Sequence, residues 1–112
     1  MAPGSMMRGT PVCAGQVKAP VCVVTTLEDA DQIQQGDILV TYATDVGWSP
    51  YFPLLGGIVT ELGGLISHGA VIAREFGLPS IVGVHGATRQ FQSGQIVLLD
   101  GSQGTIGLAV AE

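Results

Sequence analysis

Apolar residues in this chain fall into short runs separated by glycine, proline and acidic residues, a pattern that predicts buried strands. Four such runs, rich in β-branched residues, lie at 12–24, 38–42, 58–60 and 80–82. We predict two short strands in the first run and one in each of the others. Two later runs, 95–99 and 105–109, flank the sequence Asp-Gly-Ser-Gln-Gly at 100–104, which indicates a closing β-hairpin.

Helical spacing appears in one well-defined segment. Within 67–76 the apolar residues recur at about every third or fourth position, and Gly77 and then Pro79 end the pattern. The polar stretch 26–35 predicts a second, short helix. The segment 43–53 carries aromatic residues without periodicity, which favours a loop or a short helical turn. Strands alternating with helices predict an α/β fold.

Composition limits the chain to one domain and a few functional classes. The 112 residues suffice for a single core, and 46% hydrophobic residues with 17 glycines suit a small, tightly turned domain. The net charge is −5 without a Lys/Arg cluster, which argues against nucleic-acid binding. The apolar stretch 52–66 contains Glu61 and four glycines, so no membrane span is predicted.

The chain start has none of the features of an export signal. Residues 1–8 are interpreted as a tag or flexible leader and residues 9–112 as the domain, which makes a cytoplasmic setting the default expectation. Cys13 and Cys22 are then expected to be reduced. Together with His68 and His85 they have no spacing typical of a closed zinc site, so no metal is predicted.

His68 is the strongest candidate for chemistry. It follows a strand and the turn Gly63-Gly64, and it lies where the predicted helix begins. A helix N terminus favours anions through its free N–H groups and its dipole. Imidazole, with an unperturbed pKa of about 6.5, is largely neutral and nucleophilic near pH 7. From composition alone, a partly buried histidine without a task is an equally weighted interpretation.

Three polar neighbours of His68 each allow two interpretations. Ser67 caps the helix or binds a phosphoryl group, and capping is the expected role. Arg74 is a phosphate or docking contact, or else a solvated or structural ion-pair residue. Glu61 interacts with His68 across the turn, or has a capping or surface role, which is the expected one.

The segment from Gly63-Gly64 through His68 to Ala73-Arg74 resembles the signature of the phosphohistidine (swivelling) domain of PEP-utilising enzymes. In that family a Gly-Gly pair precedes the histidine by four residues, and small and aliphatic residues lead to Ala-Arg. The resemblance covers roughly residues 9–110. Dikinases of the family usually have threonine two residues before the histidine, whereas this chain has Ile66. The pattern is therefore most similar to the phosphoenolpyruvate synthase and rifampicin phosphotransferase branch.

The resemblance implies a β/β/α swivelling fold in which His68 carries a phosphoryl group. It further implies that Gly64, Ser67, Gly69 and Arg74 serve as phosphate contacts or docking residues. The phosphoryl group would come from an ATP-grasp domain of the parent protein, which uses ATP and Mg, and pass to a small-molecule acceptor such as pyruvate in another domain. This domain would bind no cofactor and would be inactive alone. The alternative is a non-catalytic interaction module that retains the swivelling fold.

Overall fold

The computed structural model describes residues 6–109, and these residues form eight strands and four short helices. The strands are β1 (Met6–Arg8), β2 (Thr10–Cys13), β3 (Gln16–Val23), β4 (Ile38–Thr41), β5 (Gly57–Thr60), β6 (Ser80–Val82), β7 (Ile96–Asp100) and β8 (Thr105–Leu108). The α-helices are α1 (His68–Phe76) and α2 (Ala87–Gln90), and 3-10 helices span Leu27–Gln32 and Val46–Leu54.

The strands follow one another in the order β1-β8-β7-β3-β4-β5-β6-β2. The four central strands β3, β4, β5 and β6 are parallel, so their carboxyl ends meet at one edge. On one side β7 and β8 continue the sheet as an antiparallel hairpin, and on the other side β2 pairs antiparallel with β6. In parallel sheets, ligand sites form at the carboxyl edge, which places the search for a site there.

Two hydrophobic cores lie on opposite faces of the parallel strands. In β4, Ile38 and Val40 face a core shared with β7 and β8, whereas Leu39 faces a core shared with α1 and the 3-10 helices. Alternation along the strand thus sends successive side chains to different cores, and all three are fully buried. The layers are strand, strand and helix, which confirms the predicted β/β/α arrangement.

Most of the predicted elements are present. The strands, the closing hairpin and the helix over 67–76 are confirmed, with Gly77 in the left-handed conformation (φ 68°) ending α1. The helix predicted over 26–35 is a shorter 3-10 helix, Leu27–Gln32, and α2 was not predicted. No helix among residues 6–109 has the length and apolar character needed to cross a membrane.

The first strand lies inside the segment interpreted as a leader. Met6–Arg8 pairs antiparallel with β8, with Met7 opposite Ile106. Met7 packs against the first core, so the described part of this segment belongs to the sheet. Three residues give too short a run for the strand pattern to be visible in sequence, and the pairing with β8 is what stabilises it. The rest of the expected leader, residues 1–5, lies outside the described residues.

Candidate functional site

The candidate site lies at the carboxyl edge of the parallel strands. Thr44 follows β4, Glu61 and His68 follow β5, and Gly86 follows β6. Because these three strands are neighbours in the sheet, the segments that leave them converge. Side chains 24 residues apart in sequence are thereby brought into direct contact, as Thr44 and His68 show.

His68 is the first residue of α1, and its imidazole is half-buried. Its Nδ1 lies 3.2 Å from the Thr44 Oγ1, within hydrogen-bonding distance. The ring packs against the buried Phe52 at a centroid distance of 5.9 Å and an interplanar angle of 36°. Among the described residues, the Nε2 atom makes no hydrogen bond. One face and one nitrogen of the ring are therefore held, and the other nitrogen is free to react.

The connection between β5 and α1, residues 62–67, is fixed through its carbonyl groups; we call it the 62–67 loop. The Thr60 hydroxyl donates to the Leu62 carbonyl at 2.8 Å. The Ser67 hydroxyl and backbone N–H donate to the Gly64 carbonyl at 2.8 and 3.1 Å. Arg74 Nη2 donates to the Leu65 carbonyl at 2.6 Å. Side chains on both flanking elements thus shape the approach to His68.

Two glycines near His68 have close neighbours. Gly63 has φ +114°, and a Cβ there would lie 3.0 Å from the Ser67 Oγ. A Cβ on Gly69 would lie 2.7 Å from the Thr44 Oγ1, the atom that contacts His68. A Cβ on Gly64 would meet no atom within 4 Å, so Gly64 leaves open space beside the loop. Gly63 and Gly69 are therefore explained by close neighbours, whereas Gly64 is not.

The predicted side-chain roles are partly corrected by these contacts. Ser67 occupies the N-cap position of α1, but its hydroxyl makes no cap hydrogen bond, because it donates to the Gly64 carbonyl instead. Arg74 is exposed, and its guanidinium donates to the loop carbonyl of Leu65; the described residues show no ion pair for it. Both polar side chains fix the 62–67 loop in this structure.

Glu61 contacts α2 and not His68. Its Oε1 accepts from the Gly86 N–H at 2.9 Å, and its Oε2 accepts from the Thr88 N–H at 2.9 Å and from the Thr88 hydroxyl. Burial raises the pKa of this carboxyl, but the hydrogen bonds from Thr88 and Gly86, together with the Arg89 charge, bring it below its ordinary value of 4.5. The expected capping role is the one the structure shows.

Exposed apolar side chains lie in the loop that precedes His68. Ile66 is 91% exposed, and Leu62 and Leu65 are about half exposed. Of the aromatic residues in 43–53, Trp48 and Phe52 belong to the core. The exposed aliphatic group is thus formed by the 62–67 loop itself, which leads directly into His68.

The candidate metal ligands do not come together in the described structure. Cys22 is buried and Cys13 is half-buried, and both are free thiols. Residues 6–109 contain no group of three or more His, Cys, Asp or Glu side chains placed to hold a metal ion. His85 is exposed near the start of α2. The structure therefore offers no assembled zinc site among these residues.

Sequence reasoning missed Thr44 as a neighbour of His68. The available signal was topological: Thr44 closely follows β4, which lies beside the strand that leads to His68. A period-2 or period-3.6 pattern carries no information about which strands are neighbours. Phe52 was noted only as one of several aromatics, and its contact with the imidazole depends on how the second 3-10 helix packs.

Fold and site together define a small α/β domain that presents an accessible imidazole nitrogen at a helix N terminus, beside a loop held by its own side chains. The chain belongs to the mobile domain family of PEP-utilising enzymes, since the family model described as "PEP-utilising enzyme, mobile domain" matches residues 33–104. The resemblance noted from the Gly-Gly-to-Arg signature is thereby confirmed.

Relatives of known name are phosphotransferases and synthases. The chain is 48% identical over 104 residues to rifampicin phosphotransferase of Bacillus cereus, covering 93% of this chain. It is 40% identical over 102 residues to phosphoenolpyruvate synthase of Aeropyrum pernix, covering 90% of this chain. In both cases the match spans 12% of the relative's length, so this chain corresponds to one domain of such enzymes.

Solved structures support the fold independently. An Enzyme I protein determined in solution has a TM-score of 0.64 and 23% identity, covering 75% of this chain and 35% of that one. Aconitase X of Thermococcus kodakaraensis has a TM-score of 0.67 and 17% identity, covering 96% of this chain and all of the matched chain. At these identities the likeness concerns the arrangement of strands and helices alone.

Proposed function

We propose that this domain carries a phosphoryl group on His68 between two sites of a larger phosphotransferase. The observation that carries the proposal is the state of the imidazole: Nδ1 is engaged by Thr44, and Nε2 is free at the start of α1. A carrier needs a nucleophile that is held in one orientation and remains accessible to another domain. Family membership supports this use of the histidine.

The reacting atom in this proposal is Nε2. With the proton on Nδ1 donated to the Thr44 Oγ1, the lone pair of neutral imidazole lies on Nε2. Nε2 forms the N–P bond while the P–O bond of the donor breaks, and the leaving oxygen keeps the electron pair. The Thr44 oxygen stabilises the positive charge that develops on the ring. Transfer to the acceptor reverses these steps with the acceptor hydroxyl or enolate oxygen as nucleophile.

The surroundings of His68 suit a phosphoryl group. The first N–H groups of α1 have no partner within the helix, and the helix dipole favours an anion at this end. Gly64 leaves open space in the loop before the helix, and Ser67, directly before His68 in the chain, has a hydroxyl that now donates to the Gly64 carbonyl. Arg74 already donates through Nη2 to the Leu65 carbonyl, so we assign it first to the loop, and its remaining N–H groups are available for docking or for a phosphoryl contact.

The donor and acceptor belong to other parts of the parent protein in this proposal. We infer an ATP-grasp nucleotide-binding domain, using ATP and Mg, as donor, and a cytoplasmic setting for the whole enzyme. The acceptor is a small molecule such as pyruvate, bound in a further domain. The names of the two relatives, one a rifampicin phosphotransferase and one a phosphoenolpyruvate synthase, support a carrier that serves different acceptors.

The decisive variant is His68→Ala in the full-length parent enzyme. We expect phosphoryl transfer to the acceptor to fall to background, because the only proposed N–P bond cannot form. The matched control is His85→Ala, which removes the other, exposed histidine of the chain and should retain full transfer. Intact mass and phosphorus NMR of the wild-type domain should show one acid-labile, base-stable phosphoryl group, with the N–P resonance assigned to Nε2.

A second candidate function is a non-catalytic interaction module. The observation in its favour is the exposed aliphatic group Leu62, Leu65 and Ile66 beside His68. This reading requires that the wild-type domain gains no phosphoryl group from a donor shown to be active, and that His68→Ala leaves transfer by the parent intact. Either result would remove the carrier proposal.

A further inference from the structure

Glu61 is a buried acid for which the proposed carrier reaction has no use. Its side chain is only 8% exposed, and it lies between the end of β5 and the 62–67 loop. Burying an ionised carboxylate is costly unless hydrogen bonds compensate it. A buried acid directly before the 62–67 loop therefore needs a physical explanation.

The carboxylate is fully engaged with the segment that follows β6. Gly86 N–H donates to one oxygen, and the backbone N–H and hydroxyl of Thr88 donate to the other. Charge-assisted hydrogen bonds of this kind are about twice as strong as neutral ones. Ala87, between the two donors, is fully buried in the first core. Glu61 is thus attached to a part of the molecule that is itself firmly packed.

The backbone around Glu61 joins the three neighbouring strand ends. Glu61 N–H donates to the Thr41 carbonyl at 3.0 Å, and Leu62 N–H donates to the Tyr42 carbonyl at 2.8 Å. Val84 N–H donates to the Thr60 carbonyl at 3.1 Å. The chain leaving β4 reaches Thr44 two residues after Tyr42. Glu61 therefore lies at the junction from which the segments bearing Thr44 and His68 separate.

We propose that Glu61 is a positioning residue for His68, which anchors the root of the 62–67 loop to α2 and so keeps Thr44 and the imidazole in hydrogen-bonding register. The part of this proposal that concerns phosphoryl transfer rests on the proposed carrier function. Its geometric part, the control of the Thr44–His68 contact, is measurable in the unphosphorylated chain.

The test is Glu61→Gln in the 112-residue chain. Glutamine has nearly the same shape, but its NH₂ group replaces one acceptor oxygen and faces donors, so at least one contact to Gly86 or Thr88 is lost. The matched control is Glu75→Gln, which removes one negative charge from an exposed position on the same helix as His68. Nitrogen-15 NMR of the His68 ring reports its tautomer, and amide exchange reports the 62–67 loop.

We expect Glu61→Gln to lower the fraction of His68 carrying the proton on Nδ1 and to speed amide exchange in the 62–67 loop, at a temperature where the variant is folded. Phosphoryl uptake from an active donor should fall by roughly five- to tenfold, the order expected for a lost hydrogen bond. Glu75→Gln should match the wild type in all three measurements.

A merely structural role makes a different prediction. A lower melting temperature combined with wild-type ring signals and wild-type phosphoryl uptake would overturn the positioning role. Thr88→Val provides a second measurement that does not depend on the first variant folding, since it removes only the hydroxyl donor and should change the His68 ring signals in the same direction by a smaller amount. Unchanged ring signals in a folded Thr88→Val chain would count against the proposal.

Failure of the carrier function is distinguishable from failure of this inference. A wild-type chain that is never phosphorylated removes the proposed function, but altered His68 ring signals in Glu61→Gln would still support the positioning role. Wild-type phosphorylation with no response to Glu61→Gln or Thr88→Val would preserve the carrier and remove the positioning role.

Discussion

At the scale of a residue, we expect a substitution beside His68 to change phosphoryl uptake without lowering stability, and Gly69 is the clearest case. In Gly69→Ala the new Cβ would lie 2.7 Å from the Thr44 Oγ1, and the simplest relief is rotation of the Thr44 side chain away from Nδ1. Alanine is also the better helix former, by about 0.5–1 kcal/mol. We therefore expect a melting temperature equal to or above the wild type, with phosphoryl uptake reduced by roughly two- to tenfold.

The matching control for this prediction is Val71→Ala, which also introduces alanine into α1, at an exposed position to which no role in transfer is assigned. Melting by circular dichroism and phosphoryl uptake followed by intact mass separate the two effects. An unaltered rate of uptake in a folded Gly69→Ala chain would show that the Thr44 contact is not needed for reaction.

At the scale of an element, the 62–67 loop is held by hydrogen bonds from side chains of its two flanking elements. Arg74 supplies the one that comes from α1. Arg74→Ala removes the donor to the Leu65 carbonyl and leaves that carbonyl to water. We expect faster amide exchange within the loop and a loss of about 0.5–1.5 kcal/mol in the free energy of unfolding. Hydrogen-exchange mass spectrometry measures the first and chemical denaturation the second.

Lys18→Ala is the control for the loss of a cation, since Lys18 is exposed on β3, away from the loop. Equal exchange rates in the loop of Arg74→Ala and of the wild type would mean that the hydrogen bonds from the Thr60 and Ser67 side chains suffice to hold the loop. Phosphoryl uptake by Arg74→Ala then reports separately on any contact between Arg74 and the phosphoryl group.

For the whole molecule, we expect two carboxylates, Glu61 and Asp100, to make the free energy of unfolding depend on pH. Burial raises the pKa of Glu61, but hydrogen bonds bring it below its ordinary value of 4.5. The pKa of Asp100 lies below its ordinary value of 3.8, because the carboxylate accepts hydrogen bonds from the Gln103 backbone and the Gln16 side chain. A lowered pKa means that the unfolded chain binds protons first as pH falls. The stabilisation is therefore present above about pH 4.5, and it is lost as the pH falls through the lowered pKa values that the two carboxyl groups have in the folded state.

Denaturant midpoints measured between pH 7 and pH 3 at constant ionic strength test this dependence. We expect a nearly level midpoint down to about pH 5 and a decline below it, and Glu61→Gln should show a shallower decline. A midpoint that does not change between pH 5 and pH 3 would contradict the assigned hydrogen bonds. Asp100 pairs with Gln16 at the amino end of β3, whereas Glu61 follows the carboxyl end of β5, and the two share no hydrogen-bond partner, so their contributions should be nearly additive.

The amino-acid sequence determined the local structure and which residue is the candidate for phosphoryl transfer. Short β-branched runs, the hairpin at 100–104 and the helix ended by Gly77 were readable because each depends on neighbours within a few residues. His68 stood out for the same reason, since the double glycine and the helix start are adjacent to it in the chain. The short strand β1 and helix α2 were not readable, because each is stabilised mainly by packing against distant residues.

Only the tertiary structure decided which residues surround His68. The parallel pairing of β4 with β5 brings Thr44 to Nδ1, and the position of α2 after β6 gives Glu61 its partners. The hydroxyl of Ser67 and the guanidinium of Arg74 were available to several acceptors, and the path of the 62–67 loop selected its own carbonyls. Such contacts depend on strand order and loop path, and a linear pattern of polar and apolar residues records neither.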